Sequence, residues 1–216
     1  MSMDSQWEEA RREMVETIRR HGVRDERVLA AMARVPRHRF IPERFRDAPV
    51  TAYGDHPCPI GERQTISQPF IVAHMTEALG LKDGQTVLEV GCGSGYQAAV
   101  LAELGARVYS VERISELAQR ARTTLDDLGY DAVRIRIGNG AEGWPEHAPY
   151  DAIVVACATP SIPRALLEQL ADGGALMLPE GDAVQRLVLL LRHGASWERR
   201  TGLEVRFVPL IDTAAD

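Results

Sequence analysis

The run Glu89-Val90-Gly91-Cys92-Gly93-Ser94-Gly95-Tyr96 constrains this chain more than any other stretch. An apolar segment, 86–91, leads into it, and a segment with helical character, 95–105, leads out. Glycine reaches backbone conformations closed to other residues and leaves room for a ligand to approach the chain. The free N–H groups at the start of the following helix, with the positive end of its dipole, suit an anion. Spacing narrows the choice of ligand. A dinucleotide fingerprint needs glycine at the first, third and sixth positions. Here the glycines stand at 91, 93 and 95, and Tyr96 holds the sixth place, which argues against a nicotinamide oxidoreductase. No GxxxxGK[ST] run occurs, so a P-loop is excluded too. The plainer alternative is a tight strand–helix turn that binds nothing.

The rest of the chain reads as strand–helix alternation. Strands are expected at 107–112, 133–138, 150–156, 175–178, 186–191 and 203–209, besides 86–91. Helices are expected at 115–128 and 163–170, the latter stopped by Gly173 and Gly174. Alternation of this kind builds a mostly parallel sheet with helices on both faces. The last two strands flank a polar stretch with His193, Gly194 and Ser196, so they can pair antiparallel. Upstream, Trp7, Ala10, Met14 and Ile18 recur at helical spacing over 7–20. A second helix is expected over 25–34, with Asp25 as N-cap and Pro36 beyond its end. Residues 40–61 carry Pro42, Pro49, Pro57 and Pro59 and read as loop with short extended pieces. A third helix follows Ser67, with Pro69 in its first turn.

Glu112 ends the strand after the glycine turn, 21 residues beyond Gly91. By the logic of dinucleotide folds, an acid there can accept hydrogen bonds from two ribose hydroxyls. The net charge of −6 speaks against a nucleic-acid partner. The basic stretch Arg34, Arg37, His38 and Arg39 is read as a solvated face. Three widely spaced cysteines, Cys58, Cys92 and Cys157, form no CxxC pair, so neither a zinc site nor a disulfide framework is expected. No apolar run approaches the ~20 residues of a membrane span, and the N-terminus has no apolar signal core. The expectation is a cytoplasmic protein with reduced thiols, without metal or membrane partner.

The GxGxG turn resembles motif I of class I methyltransferases, in which a carboxylate rather than a pyrophosphate meets the glycines. Upstream, Gln64-Thr65-Ile66-Ser67-Gln68-Pro69 followed by Val72-Ala73-His74-Met75 resembles the signature of protein-L-isoaspartate O-methyltransferases. Further resemblances to that family run in order along the chain: Val35-Pro36-Arg37-His38-Arg39-Phe40, the approach over Tyr53 to Gly61, Gly143-Trp144-Pro145, Ala148-Pro149-Tyr150-Asp151-Ala152-Ile153 and Phe207-Val208-Pro209-Leu210. Three positions depart from its usual pattern. Arg63 stands where bacterial members usually have Gly, Asn139 replaces Asp, and Glu180 interrupts a Pro-Val-Gly.

The resemblance implies a Rossmann-like class I methyltransferase fold of seven strands with an N-terminal helical extension. Residues 1–216 would form one methyltransferase domain, with 1–80 as helical and substrate-binding region and 81–216 as the cofactor-binding core. It implies methyl transfer from S-adenosylmethionine to the α-carboxylate of L-isoaspartyl residues, and a monomer acting on damaged proteins and peptides. Cofactor contacts are expected from Gln64, Thr65, Ile66, Glu89, Gly91, Cys92, Gly93, Ser94, Gly95, Glu112, Asn139 and Gly140. Asn139 would meet the adenine amino group through its carbonyl oxygen. Ser67 is the expected catalytic residue, with Thr65 and Ile211 also on the substrate side, while Ile211, Asp212 and Thr213 match a segment that closes over the cofactor. Two readings stand beside these. Ser67 could be only the N-cap of the helix after it, and the acceptor could be a dedicated peptide or another carboxylate. A non-catalytic binding domain on the same fold is opposed by the intact GxGxG, Glu112 and Ser67.

Overall fold

The computed structural model describes residues 3–212, so Thr213 lies outside the described residues. The chain opens with helices α1 (Met3–Arg20) and α2 (Glu26–Arg34), then the short helix α3 (Pro49–Tyr53). A hairpin of β1 (Cys58–Gly61) and β2 (Gln64–Ile66) follows, and then α4 (Pro69–Ala78). From there strands and helices alternate: β3 (Thr86–Val90), α5 (Tyr96–Glu103), β4 (Arg107–Glu112), α6 (Ser115–Asp127), β5 (Arg134–Ile137), β6 (Tyr150–Val155) and α7 (Arg164–Gln169). Three strands close the order: β7 (Leu170–Glu180), β8 (Gln185–His193) and β9 (Ser196–Val205).

The seven strands β3 to β9 lie side by side in the order β5-β4-β3-β6-β7-β8-β9. The first five are parallel, and β8 and β9 pair antiparallel. Period-two alternation sorts their apolar side chains onto two faces. Val87, Val154, Met177 and Leu189 join the core under the N-terminal helices, α5 and α6. Leu88, Ile153, Leu176 and Val188 join the core beneath α7. Both faces of the central strands are therefore buried, which accounts for their nearly continuous apolar sequence. The chain leaves β3 toward β4 on one side and pairs β3 with β6 on the other, so a crevice opens at the carboxyl ends of β3 and β6.

Several local expectations match. The Asp25 carboxylate accepts from Arg27 N–H at 2.8 Å and caps α2. Met14 and Ile18 are buried on the core side of α1, with Trp7 and Ala10 packed against it. Others are corrected. Helix α7 ends at Gln169, and Gly173 and Gly174 lie inside β7 rather than stopping the helix. Pairing with β6 wins there: Tyr150 faces Leu170 and Ala152 faces Ala175, and a bulge absorbs the extra residues. The last strand runs 196–205, not 203–209. Every side chain from Ser196 to Glu204 is exposed, so no apolar alternation marks this edge strand; backbone pairing with β8 defines it. Residues 40–61 contain helix α3, started by Pro49 at its first position.

The basic stretch is not a solvated face throughout. Arg37 is wholly buried; its Nε donates to the Ala52 carbonyl at 2.9 Å and its guanidinium lies 5.0 Å from the Tyr96 ring centroid. Burial pushes its pKa down. His38 is stacked on Trp7 with ring centroids 4.6 Å apart, and burial foremost lowers its pKa to about 4. Arg34 and Arg39 are exposed as expected. Glu180, the third departure, forms an ion pair with Arg199 on β9.

The β1–β2 turn places Glu62 and Arg63 at φ 50° and 57°, the left-handed pair of a type I′ hairpin. A side chain there costs about 1–2 kcal/mol, part of which glycine would return as unfolded-chain entropy. Arg63→Gly is expected to stabilise the protein by about 1 kcal/mol, read from the midpoint of urea unfolding. An unchanged or lower midpoint would mean that Arg63 makes a compensating contact.

Candidate active site

The turn between β3 and α5 has Gly91, Gly93 and Gly95 at φ 87°, 54° and 87°. Three left-handed residues alternating with two ordinary ones explain the GxGxG spacing without further assumption. The turn forms the floor of a cleft that is open on one side to solvent. Gln64, Thr65, Ile66 and Ser67 border it from the hairpin side, and Glu112 from the end of β4. Gly140 and Ile211 complete its rim.

Two carboxyl groups lie at this floor. Glu112 accepts from Gly93 N–H at 2.7 Å through Oε2 and from Ile114 N–H at 2.9 Å through Oε1. It thus ties the glycine turn to the β4–α6 corner. Glu89 is wholly buried; Ser110 Oγ donates to its Oε2 at 2.5 Å, while Oε1 has no partner. Burial pushes the Glu89 carboxyl from about 4.5 up to about 8; the charge of Glu112 adds to this and the Ser110 hydrogen bond opposes it. A cation bonded to this unpartnered oxygen would favour the ionised carboxyl and oppose the effect of burial.

The raised value has a consequence for stability. Below pH 4.5 the group is neutral in both folded and unfolded chains. Between there and about 8 the unfolded chain ionises while the fold resists, so this contribution is lost as pH rises. Glu89→Gln is expected to flatten the fall in melting temperature between about pH 5 and 8. Parallel curves for variant and parent would remove Glu89 as the cause.

Ser67 sits just beyond β2, half-buried, and its hydroxyl makes no hydrogen bond among the described residues. The N-cap of α4 is Gln68, not Ser67, so the plain capping reading of Ser67 does not describe this turn. Residues 207–211 run across the opposite side of the cavity as a strap. Gln185 clamps its start, donating to the Phe207 carbonyl at 3.1 Å and accepting from Phe207 N–H at 2.6 Å. Ala158 holds its middle, donating to the Val208 carbonyl at 2.8 Å and accepting from Leu210 N–H at 2.6 Å.

Two expected residues are not on the cavity wall. A Cβ on Gly95 would point at Leu125 and Ala121, so this glycine serves helix–helix packing. Asn139 does not line the cavity either, and its amide is engaged elsewhere. Its Oδ1 accepts from Ala141 N–H at 3.0 Å, and its Nδ2 donates to Asp212 at 2.8 Å and to Glu142 at 3.3 Å. Conversely, Ile71, Val72 and Met75 of α4 and the Ala156–Cys157 corner line the cavity although none of them was expected to contact a ligand. The α4 residues read as ordinary core, but the corner was legible: it is the carboxyl end of a strand beside the switch point. Burial pushes the Cys157 thiol up to about 12, so it is not a nucleophile. His74 is off the cavity wall, packed on Phe70 with ring centroids 5.5 Å apart. Among the described residues no cluster of three metal-ligating side chains occurs, and no helix is long and apolar enough to cross a membrane.

The sheet order, the glycine turn and the acid at the end of β4 define a Rossmann-like class I methyltransferase. The family model for protein-L-isoaspartate(D-aspartate) O-methyltransferase (PCMT) matches residues 9–215. A protein-L-isoaspartate O-methyltransferase of Gloeobacter violaceus is 54% identical over 197 residues, covering 90% of this chain and 95% of the relative. A solved protein-L-isoaspartate O-methyltransferase superposes with a TM-score of 0.84 at 28% identity, over 92% of this chain and 65% of its own length. A Plasmodium falciparum structure described as the same enzyme, in complex with S-adenosyl-L-homocysteine, gives a TM-score of 0.80 at 25% identity over 93% and 98%. The chain belongs to the protein-L-isoaspartate(D-aspartate) O-methyltransferase family.

Proposed function

We propose that the chain transfers the methyl group of S-adenosylmethionine to the α-carboxylate of L-isoaspartyl residues, starting their repair to aspartate through a succinimide. The observation that carries this is a single cavity holding the glycine turn, two buried carboxyl groups and an unpartnered serine hydroxyl. The residues present fit the cofactor. The free Oε1 of Glu89 suits its ammonium group, and the turn at 91–95 suits its carboxylate. Glu112 would accept from the ribose hydroxyls, and Gly140 borders the adenine side.

Bound S-adenosylmethionine supplies a methyl group on a sulfonium, a good leaving group. The acceptor carboxylate is already ionised at neutral pH, so no side chain need take its proton. Ser67 donates a hydrogen bond to that carboxylate and keeps one oxygen aimed along the line of transfer. Thr65 and Ile66 frame the acceptor from the hairpin, and Ile211 from the strap. The apolar walls, Ile71, Val72 and Leu210 among them, keep water from the methyl group. In this reading, 1–80 brings the acceptor side and 81–216 the cofactor side of one domain. The enzyme works as a cytoplasmic monomer, without nucleic acid, membrane or metal; the three free, buried cysteines support a reducing compartment.

The test is transfer of labelled methyl to a peptide with L-isoaspartate, beside the same peptide with aspartate. A base-labile ester on the isoaspartyl peptide alone is expected. No transfer, with S-adenosylhomocysteine binding intact, would point to a dedicated carboxylate acceptor and overturn the repair reading.

A further inference from the structure

Helix α4 follows Ser67 directly, yet it begins without a cap of its own. Gln68 holds the N-cap position and makes no side-chain bond to the helix, and Pro69 has no N–H to satisfy. The first free donor is Phe70 N–H. It donates to Oδ1 of Asp55 at 2.8 Å, and Gln68 Nε2 donates to Oδ2 of the same carboxylate at 3.2 Å. An N-cap oxygen ordinarily bonds the second or third helical N–H from within its own turn. Here a carboxylate from the segment after α3 does so, at the end where the helix dipole favours negative charge. His21, just past the end of α1, closes the arrangement. Its Nδ1 stands 3.2 Å from Asp55 Oδ2, and its ring meets Phe70 edge-on with centroids 5.1 Å apart. The Asp55 side chain is only 13% exposed.

These contacts fix the chain immediately after Ser67. The serine hydroxyl has no bond of its own to fix it, so its direction is set by the backbone around it. Just beyond it, one carboxylate holds the Phe70 backbone N–H and the Gln68 side chain. We propose that Asp55, aimed by His21, is the positioning residue that holds the Ser67 turn toward the cavity. Asp55 touches neither acceptor nor cofactor; it acts through Gln68 and Phe70. This rests on the role given to Ser67 above.

The test compares Asp55→Ala and Asp55→Asn with the parent enzyme, using an isoaspartyl peptide, S-adenosylhomocysteine binding, and amide exchange at Phe70 in the S-adenosylhomocysteine-bound protein. Asp55→Ala is expected to lower kcat about tenfold with peptide KM little changed, because misalignment costs rate rather than ground-state binding. Its S-adenosylhomocysteine affinity should stay within about twofold, and Phe70 exchange should quicken about tenfold with loss of the cap. Asp55→Asn keeps an acceptor oxygen for Phe70 N–H and should recover most of both. The proposal is overturned by parental kcat and Phe70 exchange in Asp55→Ala, by Asp55→Asn as impaired as Asp55→Ala, or by an equal loss of S-adenosylhomocysteine affinity. A parent enzyme that leaves the isoaspartyl peptide unmethylated would overturn the functional reading instead. Phe70 exchange would then still decide whether Asp55 holds the turn.

Discussion

Ser67→Ala is expected to lower turnover on an isoaspartyl peptide by about a hundredfold while leaving cofactor affinity within about twofold. The hydroxyl has no bond to another described residue and borders the cavity, so its hydrogen-bonding capacity is available to the acceptor. A carboxylate needs no activation; what it needs is one oxygen held in line, and misplacement by about 1 Å costs about a hundredfold in rate. The usual objection to a serine at a helix start is that its removal uncaps the helix. That objection fails here, because the capping oxygen at Phe70 comes from Asp55. The variant should therefore melt at the parental temperature. Single-turnover rates, with calorimetry for S-adenosylhomocysteine, separate the two effects. A variant that turns over normally would end the role assigned to Ser67. One that loses cofactor affinity in proportion would move the serine to the cofactor side.

Where sequence periodicity reported burial, it placed elements well, and where pairing or distant contacts decided, it did not. Strand β4 is legible to the residue because Val108 and Val111 must be buried and Glu112 marks its end. Strand β9 is invisible to hydropathy: its outer position leaves Trp197 through Glu204 exposed, and only pairing with β8 orders it. Gly173 and Gly174 look like a helix stop, yet the chain spends them in a bulge of β7. The charge run at 34–39 hid a fully buried Arg37, because burial there depends on a carbonyl of α3 and a ring of α5 that no local window contains. The site divides in the same way. The turn, Glu112, Ser67 and the strap follow from local spacing or from family motif, whereas the capping role of Asp55 is visible only in its tertiary contacts. Asn139 is the instructive middle case. The family resemblance put it beside the cofactor, but its amide is engaged by Asp212, Glu142 and the Ala141 N–H.

Glu112→Ala is expected to weaken S-adenosylhomocysteine binding by about 3 kcal/mol, roughly a hundredfold, if both ribose hydroxyls bond this carboxylate. The same change should lower the melting temperature of the ligand-free protein. Glu112 is nearly buried and accepts the N–H groups of Gly93 and Ile114, so its removal strands two donors, each costing about 1–3 kcal/mol if water does not reach it. Glu112→Gln retains one acceptor oxygen and should fall between parent and alanine variant on both measures. The two measures can part. A lower melting temperature with unaltered affinity would make Glu112 a brace for the glycine turn and take it out of the ribose site. Lost affinity with intact melting would mean that water satisfies the stranded donors and that the ribose contacts are the main role. The expected result is loss of both, because one carboxylate bonds the turn that meets the cofactor and stands where the ribose would lie. Ser67→Ala should show the opposite profile, with stability and affinity kept and rate lost. Measured side by side, the two variants separate the groups that hold the cofactor from the one that aligns the acceptor.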